Sequence, residues 1–222
     1  MTPIQLHSDF AARCVVDSQQ LPWLASPSPL VQRRMLERDG GEIARATSVV
    51  RYEPGACFDA HTHELGEEIL VLEGGFGDAH GDYGPGCYIR NPPGSRHAPF
   101  SSEGCTMFVK LRQLDPQETQ RVVIDTRSAP WAAGRLPGLT VLPLAGFGTE
   151  HTALVRWAPG TFFQPHRHFG GEEILVLEGV FSDEHADYPA GHWIRSPHLS
   201  QHQPFSREGC VIWVKTGHLP AD

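Results

Sequence analysis

The chain reads as an all-β protein made of two tandem barrels, and three observations carry that expectation. First, short β-branched and apolar runs recur about every ten residues along the sequence. Second, 23 glycines and 19 prolines fall largely between those runs, as turn signals should. Third, the sequence repeats itself. Residues 61–73 read HTHELGEEILVLE and residues 166–178 read HRHFGGEEILVLE, an offset of 105 (166 − 61). The same offset separates His97 from His202 (202 − 97) and holds without a gap from Arg51/Arg156 to Lys110/Lys215. An internal duplication of this size means two copies of one fold.

The expected strands follow in order. In the first copy they are RCVVD (13–17), ARATSVVRY (44–52), EEILVLEG (67–74), GCYIR (86–90) and CTMFVKL (105–111). In the second they are RVVID (121–125), TALVRW (152–157), EEILVLEG (172–179), GHWIR (191–195) and CVIWVKT (210–216). Turns such as YEPG, WAPG and DYGPG separate them. PLVQRRMLER (29–38) has a helical look, but its counterpart LTVLPL is strand-like, so it too is expected as a strand or turn. Upstream of the strict block, Arg13–Asp17 matches Arg121–Asp125 and Pro22-Trp23 matches Pro130-Trp131, now at an offset of 108 (131 − 23). Each copy is therefore a whole domain, 1–113 and 114–222.

Bulk composition removes several functions. A net charge of −8 and no Lys/Arg-rich run argue against direct binding to nucleic acid or to an anionic membrane. No apolar run is long enough to span a bilayer, and the first residues lack a basic segment followed by an apolar one, so a cytoplasmic location is expected. The five cysteines form no CxxC pair, so neither a disulfide framework nor a four-cysteine zinc site is expected. Cys57, Cys87, Cys105 and Cys210 read as packing thiols. Phe58, Phe162, Phe163, Tyr88, Trp193, Phe108 and Trp213 read as core or pocket aromatics. His7, His151, His198 and His218 have no repeat partners and are expected at the surface.

What is duplicated carries the chemistry. Residues two apart on an extended segment share a face, so His61 and His63 can reach one point, as can His166 and His168. A carboxylate at the start of the next strand can join them, either Glu67 or Glu68, and either Glu172 or Glu173. A returning strand would bring His97 and His202 to the same places. Three imidazoles and one carboxylate suit a divalent transition metal, with one such site in each domain.

These residues resemble the cupin motifs. Gly55-x5-His61-x-His63-x3-Glu67-x6-Gly74 has the form of the first, and Gly86-x5-Pro92-x-Gly94-x2-His97 that of the second. In the other copy the first motif falls on Gly160, His166, His168, Glu172 and Gly179. The resemblance implies a bicupin, two double-stranded β-helix (jelly-roll) barrels, and the fixed step to Gly74 and Gly179 selects Glu67 and Glu172. A closer resemblance is to ChrR-like cupins, the cupin half of an anti-sigma factor, in GEEILVLEGGFGDAHGDYGPGCYIRNPPGSRHAP and GEEILVLEGVFSDEHADYPAGHWIRSPHLSQHQP. By that likeness the ligands are His61, His63, Glu67 and His97, with His166, His168, Glu172 and His202. The metal is expected to be zinc, with iron, manganese and nickel as alternatives.

The sequence departs from the motif in two ways. Leu199 stands where glycine is wanted, which costs energy if φ is positive there. Ser101 and Ser206 replace a closing asparagine. His80/His185, Asp82/Asp187 and Tyr83/Tyr188 recur in a turn region and read as structural. Arg90 and Arg195 are expected to pair with Glu68 and Glu173, or with Glu73 and Glu178.

Two functions follow from the resemblance. One is a metal-binding sensor or small-ligand-binding regulator of the oxidative-stress, anti-sigma-related type, with a small molecule in the barrels and a regulatory protein partner. The other is a metal-dependent oxidoreductase, a dioxygenase or an oxalate-decarboxylase-like enzyme, with Glu68 and Glu173 as general-base candidates. A purely structural metal role is the bland alternative. A homodimer is expected from the sheet edges.

Overall fold

A computed structural model describes residues 4–221. Every regular element among them is a strand, and adjacent strands pair antiparallel throughout. Ten of the observed strands overlap the ten expected runs, several with identical limits, such as Ala44–Tyr52 and Cys105–Leu111. The segment with the helical look is strand Val31–Gly40, paired along its length with Ala44–Tyr52. Its burial deepens from partial over residues 32–35 to full over residues 36–38, where a register shift lies between Met35 and Glu37.

Contacts divide the chain into two units: Met1–Ser8 with Leu21–Ser128, and Asp9–Gln20 with Ala129–Asp222. Relative to a single cut between 113 and 114, segments 9–20 and 114–128 have changed places. The arm of the first repeat, Cys14–Asp17, pairs with His192–Ser196 of the second barrel. The arm of the second repeat, Val122–Asp125, pairs with Cys87–Asn91 of the first. Each arm thereby closes an edge that would otherwise offer unpaired backbone groups. Ser18 and Thr126 fasten the arms alike, each donating its hydroxyl at 2.6 Å to the carbonyl of Gly191 and Gly86 respectively.

In the first unit the large sheet runs Ile4–Leu6, Val31–Gly40, Ala44–Tyr52, Cys105–Leu111, Glu67–Gly74, Cys87–Asn91, Val122–Asp125. A smaller sheet of Gly81–Tyr83, Phe76–Asp78, Phe100–Ser101 and Ala56–Cys57 completes the barrel, with His61–His63 and Ser95–His97 as a separate pair. Ile69, Val71, Phe76, Ile89 and Met107 fill the space between. The second unit repeats this, with Ile174, Val176, Phe181, Ile194 and Ile212 in the equivalent core.

The motif glycines are needed sterically. Gly74 has φ +72°, and a Cβ there would lie 2.1 Å from the Gly104 carbonyl oxygen. Gly179 is the same, 2.1 Å from the Gly209 oxygen. Leu199 does adopt a left-handed φ of 61°, at the position where Gly94 has φ 80°. Ser101 and Ser206 are buried, and their hydroxyls donate to the carbonyls of Gly75 and Val180.

Candidate metal centres

Strand register builds each centre. His97 lies directly across from His61, and Ser95 across from His63, in the pair His61–His63 with Ser95–His97. Glu67 opens the next strand and faces Asn91 and Leu111. The result is convergence: His63 Nε2 is 2.9 Å from His97 Nε2, 3.4 Å from Glu67 Oε2, and His97 Nε2 is 3.5 Å from that same oxygen. His61, His63 and His97 each present a ring nitrogen within 4.8 Å of the others. Asn91 donates to Glu67 Oε2 at 3.1 Å, fixing the carboxylate.

The second centre has the same plan. His166 lies across from His202, and His166, His168, Glu172 and His202 all offer ligand atoms within 4.8 Å of one another. Glu172 sits 3.5 Å from His168 Nδ1 and 3.5 Å from His202 Nε2. His61 and His166 turn their Nδ1 atoms to the carbonyls of Asp59 and Gln164, which leaves Nε2 of each ring for the centre.

The donor atoms fit a metal ion. His168 Nε2 and His202 Nε2 are buried with no hydrogen-bond partner among the described residues. Such atoms are costly unless something fills their valence. Burial lowers His63 to about 4 and His168 to about 3, so both rings are neutral donors near pH 7. Burial raises Glu67 and Glu172, as expected of carboxylates without a cation beside them. For His202 burial alone is unfavourable to the charge, but Asp183 and Glu172 raise it.

Sequence reasoning missed the residues behind the third histidine. His97 Nδ1 donates to Asp78 Oδ2 at 3.1 Å. Asp78 also accepts from the His80 amide at 2.8 Å and from Tyr83 Oη at 3.1 Å, with Arg121 Nη2 at 3.8 Å. Asp183 likewise faces His202 Nδ1 at 3.8 Å and accepts from the His185 amide, Tyr188 Oη and Arg13 Nη2. Burial works against the charge on Asp183, but His202, Tyr188 and the His185 and Ala186 amides hold its carboxyl well below the usual range. Arg121 and Arg13 come from the exchanged arms. The recurrent Phe-x-Asp at 76–78 and 181–183 was the available signal. Tyr83 and Tyr188, read as turn residues, therefore bear on the centres.

The candidate bases lie on the opposite face of their strand from Glu67 and Glu172. Glu68 accepts from Tyr88 Oη at 2.6 Å and has Arg90 at 3.6 Å, while Glu173 accepts from Trp193 Nε1 at 2.8 Å and His218 Nε2 at 3.0 Å. Arg90 keeps the expected ion pair with Glu68 and adds a bidentate pair with Glu118, whose oxygens lie 2.5 and 2.7 Å away. Arg195 donates to the Asp9 carbonyl. His218 is buried against Glu173 and so is not a surface histidine, and Cys57 and Phe162 are exposed where packing was expected. Strands Ala56–Cys57 and Thr161–Phe162 are short edge pieces, so their second residues turn outward.

A cavity of about 330 Å³ adjoins the first centre, lined by His61, His63 and Glu67 and walled by Phe58, Ile69, Met107 and Val109. Arg33, Arg38 and Glu42 line it as well.

Comparison with known proteins agrees with this architecture. The ChrR Cupin-like domain family matches residues 11–115 and again 119–220, and the chain belongs to that family as a duplicated cupin. Among solved structures it is similar to a provisionally assigned dioxygenase from Nostoc punctiforme (TM-score 0.78, 15% identity, 96% of this chain and 85% of that one). It is also similar to protein YlbA from E. coli (TM-score 0.73, 14% identity, 99% and 96%). A third is oxalate decarboxylase from Lactobacillus farciminis (TM-score 0.64, 13% identity, 99% and 90%). At such identities the likeness is one of fold. No curated protein sequence matches the chain significantly. Among the described residues no helix is long and apolar enough to cross a membrane.

Proposed function

We propose that this protein is a metal-binding sensor or small-ligand-binding regulator, holding one divalent metal in each barrel. The observation that carries this reading is the convergence of His166, His168, Glu172 and His202 in the second barrel, where two buried imidazole nitrogens have no hydrogen-bond partner among the described residues, and of His61, His63 and His97 in the first, with Glu67 within 3.5 Å of His63 and His97. Zinc is the preferred metal; iron, manganese and nickel suit the same donors. A bound ion would supply Lewis acidity, and iron or manganese would add redox chemistry. His61, His63, Glu67 and His97 hold it in one barrel, and His166, His168, Glu172 and His202 in the other. A small molecule in the barrel then alters the packing that a regulatory protein partner reads. A homodimer and a cytoplasmic location belong to the same proposal.

The cavity beside His61 and His63 favours a second reading, a metal-dependent oxidoreductase of dioxygenase or oxalate-decarboxylase type. Four protein ligands leave room for a substrate on an octahedral ion. The two readings separate in one experiment. Metal-loaded protein is given oxalate, diketones and organic hydroperoxides while oxygen uptake, product and thermal midpoint are followed. A ligand-dependent midpoint shift without turnover supports the sensor. Sustained turnover overturns it in favour of the enzyme.

A further inference from the structure

The two barrels are not equivalent inside. Arg33 pairs with Val50 and Arg38 with Ala46 across the strands of the first unit. The matching positions in the second, paired with Val155 and His151, are Val141 and Gly146. Tyr52 of the first cavity is replaced by Trp157. The first cavity thus carries two guanidinium groups at positions where the second unit has Val141 and Gly146.

Their charge is only partly matched. Arg33 grips Glu42 bidentately at 2.8 and 2.9 Å, and Arg38 reaches the same carboxylate at 3.5 Å. Arg38 spends its remaining donors on the carbonyls of Gly41 and Glu42. Arg112 and Glu64, also lining the cavity, pair with each other at 2.8 Å. Two cations therefore share one carboxylate, and Arg33 Nε is buried with no hydrogen-bond partner among the described residues. Glu42 is about one third exposed and sits in the turn beside Ile43, itself 80% exposed. Glu42 thus stays within reach of solvent, and a second carboxylate entering the cavity competes with it for the donors of Arg33 and Arg38.

We propose that the first barrel binds an amphipathic organic anion, a chain-like carboxylic acid. Its carboxylate is held by Arg33 and Arg38, and its apolar body lies along Phe58, Ile69, Met107 and Val109 toward the His61/His63/Glu67 end of the cavity. This deepens the ligand-binding reading and assigns the ligand to one barrel. A rim ion pair alone explains the bond from Arg33 to Glu42; it does not explain why a second arginine, Arg38, lines the same cavity and shares that carboxylate.

The test is calorimetric titration of metal-loaded protein with octanoate, 1-octanol and acetate, with metal content measured on the same samples. One octanoate per chain is expected, bound more tightly than octanol or acetate. The double variant R33Q/R38Q should weaken octanoate about tenfold and leave octanol unchanged. Glu42→Gln, a surface change, should strengthen octanoate by removing its competitor. Absence of saturable octanoate binding, two octanoates per chain, or unchanged affinity in R33Q/R38Q overturns the inference. Two metal ions per chain alongside any of those results leaves the metal reading standing. Octanoate binding of the expected pattern without metal uptake supports the inference and defeats the metal reading.

Discussion

Arg13 Nη2 lies 3.0 Å from Asp183 Oδ2, and Asp183 faces Nδ1 of His202 at 3.8 Å. The arginine belongs to the first repeat; the aspartate and histidine belong to the second. In the other unit Arg121, from the second repeat, stands in the same relation to Asp78 and His97. Each centre is thus held by an arm borrowed from the other repeat. Groups behind a metal ligand fix its tautomer and orientation, and their loss typically lowers metal affinity about tenfold or more. Arg13→Gln should therefore weaken metal binding at the second centre about tenfold and spare the first. Arg121→Gln should do the reverse. Competition with a chelator, reading two affinities per chain, checks both; equal loss at both centres contradicts the assignment.

Leu199 is held at φ 61°, a conformation that costs an L-residue about 1 kcal/mol. Leu199→Gly should raise the stability of the second barrel by up to about 1 kcal/mol, and Gly94→Leu should lower that of the first by a similar amount. Urea unfolding of the metal-free protein measures both. A Leu199→Gly variant less stable than the parent contradicts the strain.

Gly74→Ala should be more damaging. Its Cβ would sit 2.1 Å from the Gly104 oxygen at a φ of +72°, so the strand crossing must open. A loss above about 2 kcal/mol is expected, with Gly179→Ala behaving alike. A loss no larger than that of an exposed left-handed glycine contradicts the packing.

The metal-free protein should be acid-sensitive through two histidines. His63 at about 4 and His168 at about 3 lie below the ordinary 6.5 because burial opposes their charge. In the unfolded chain they take up protons first as pH falls. Their contribution is therefore complete above about 6.5 and is lost as pH drops through 6.5 toward 4 and 3. Glu67 and Glu172, raised by burial, act in the opposite direction in any variant that keeps them. The expected result is a smaller stability loss between pH 7 and pH 5 in His63→Gln/His168→Gln than in the parent, measured by urea midpoints. Equal losses contradict the sign.

Much of this was legible in the sequence, because a repeat tests its own reading. Strand limits such as Ala44–Tyr52 emerged from alternation and turn chemistry, and comparing Val31–Gly40 with its counterpart removed a false helical signal. The histidine pairs were found because spacing along strands maps directly to a shared face, whereas Glu67 and Glu172 were chosen over Glu68 and Glu173 only through the resemblance to the cupin motif. The arm exchange was not legible. Arg13–Asp17 and Arg121–Asp125 are nearly the same words, and the edges they meet, Cys87–Asn91 and His192–Ser196, are nearly the same edges. Local pattern is degenerate between exchanged and unexchanged pairing. Asp78 and Asp183 were hidden for a similar reason, since an aspartate in a turn-rich stretch looks like a turn former. The cavity arginines arise from a strand whose wording differs between copies, and no spacing rule pointed at them.

The most direct test of the central claim is metal content per chain by elemental analysis, on protein purified without an immobilised-metal column and on His61→Ala and His166→Ala. The account predicts two ions per chain in the parent and one in each variant. An unchanged count in both variants, or a parent that retains no metal when supplied with zinc, iron and manganese in turn, would contradict it.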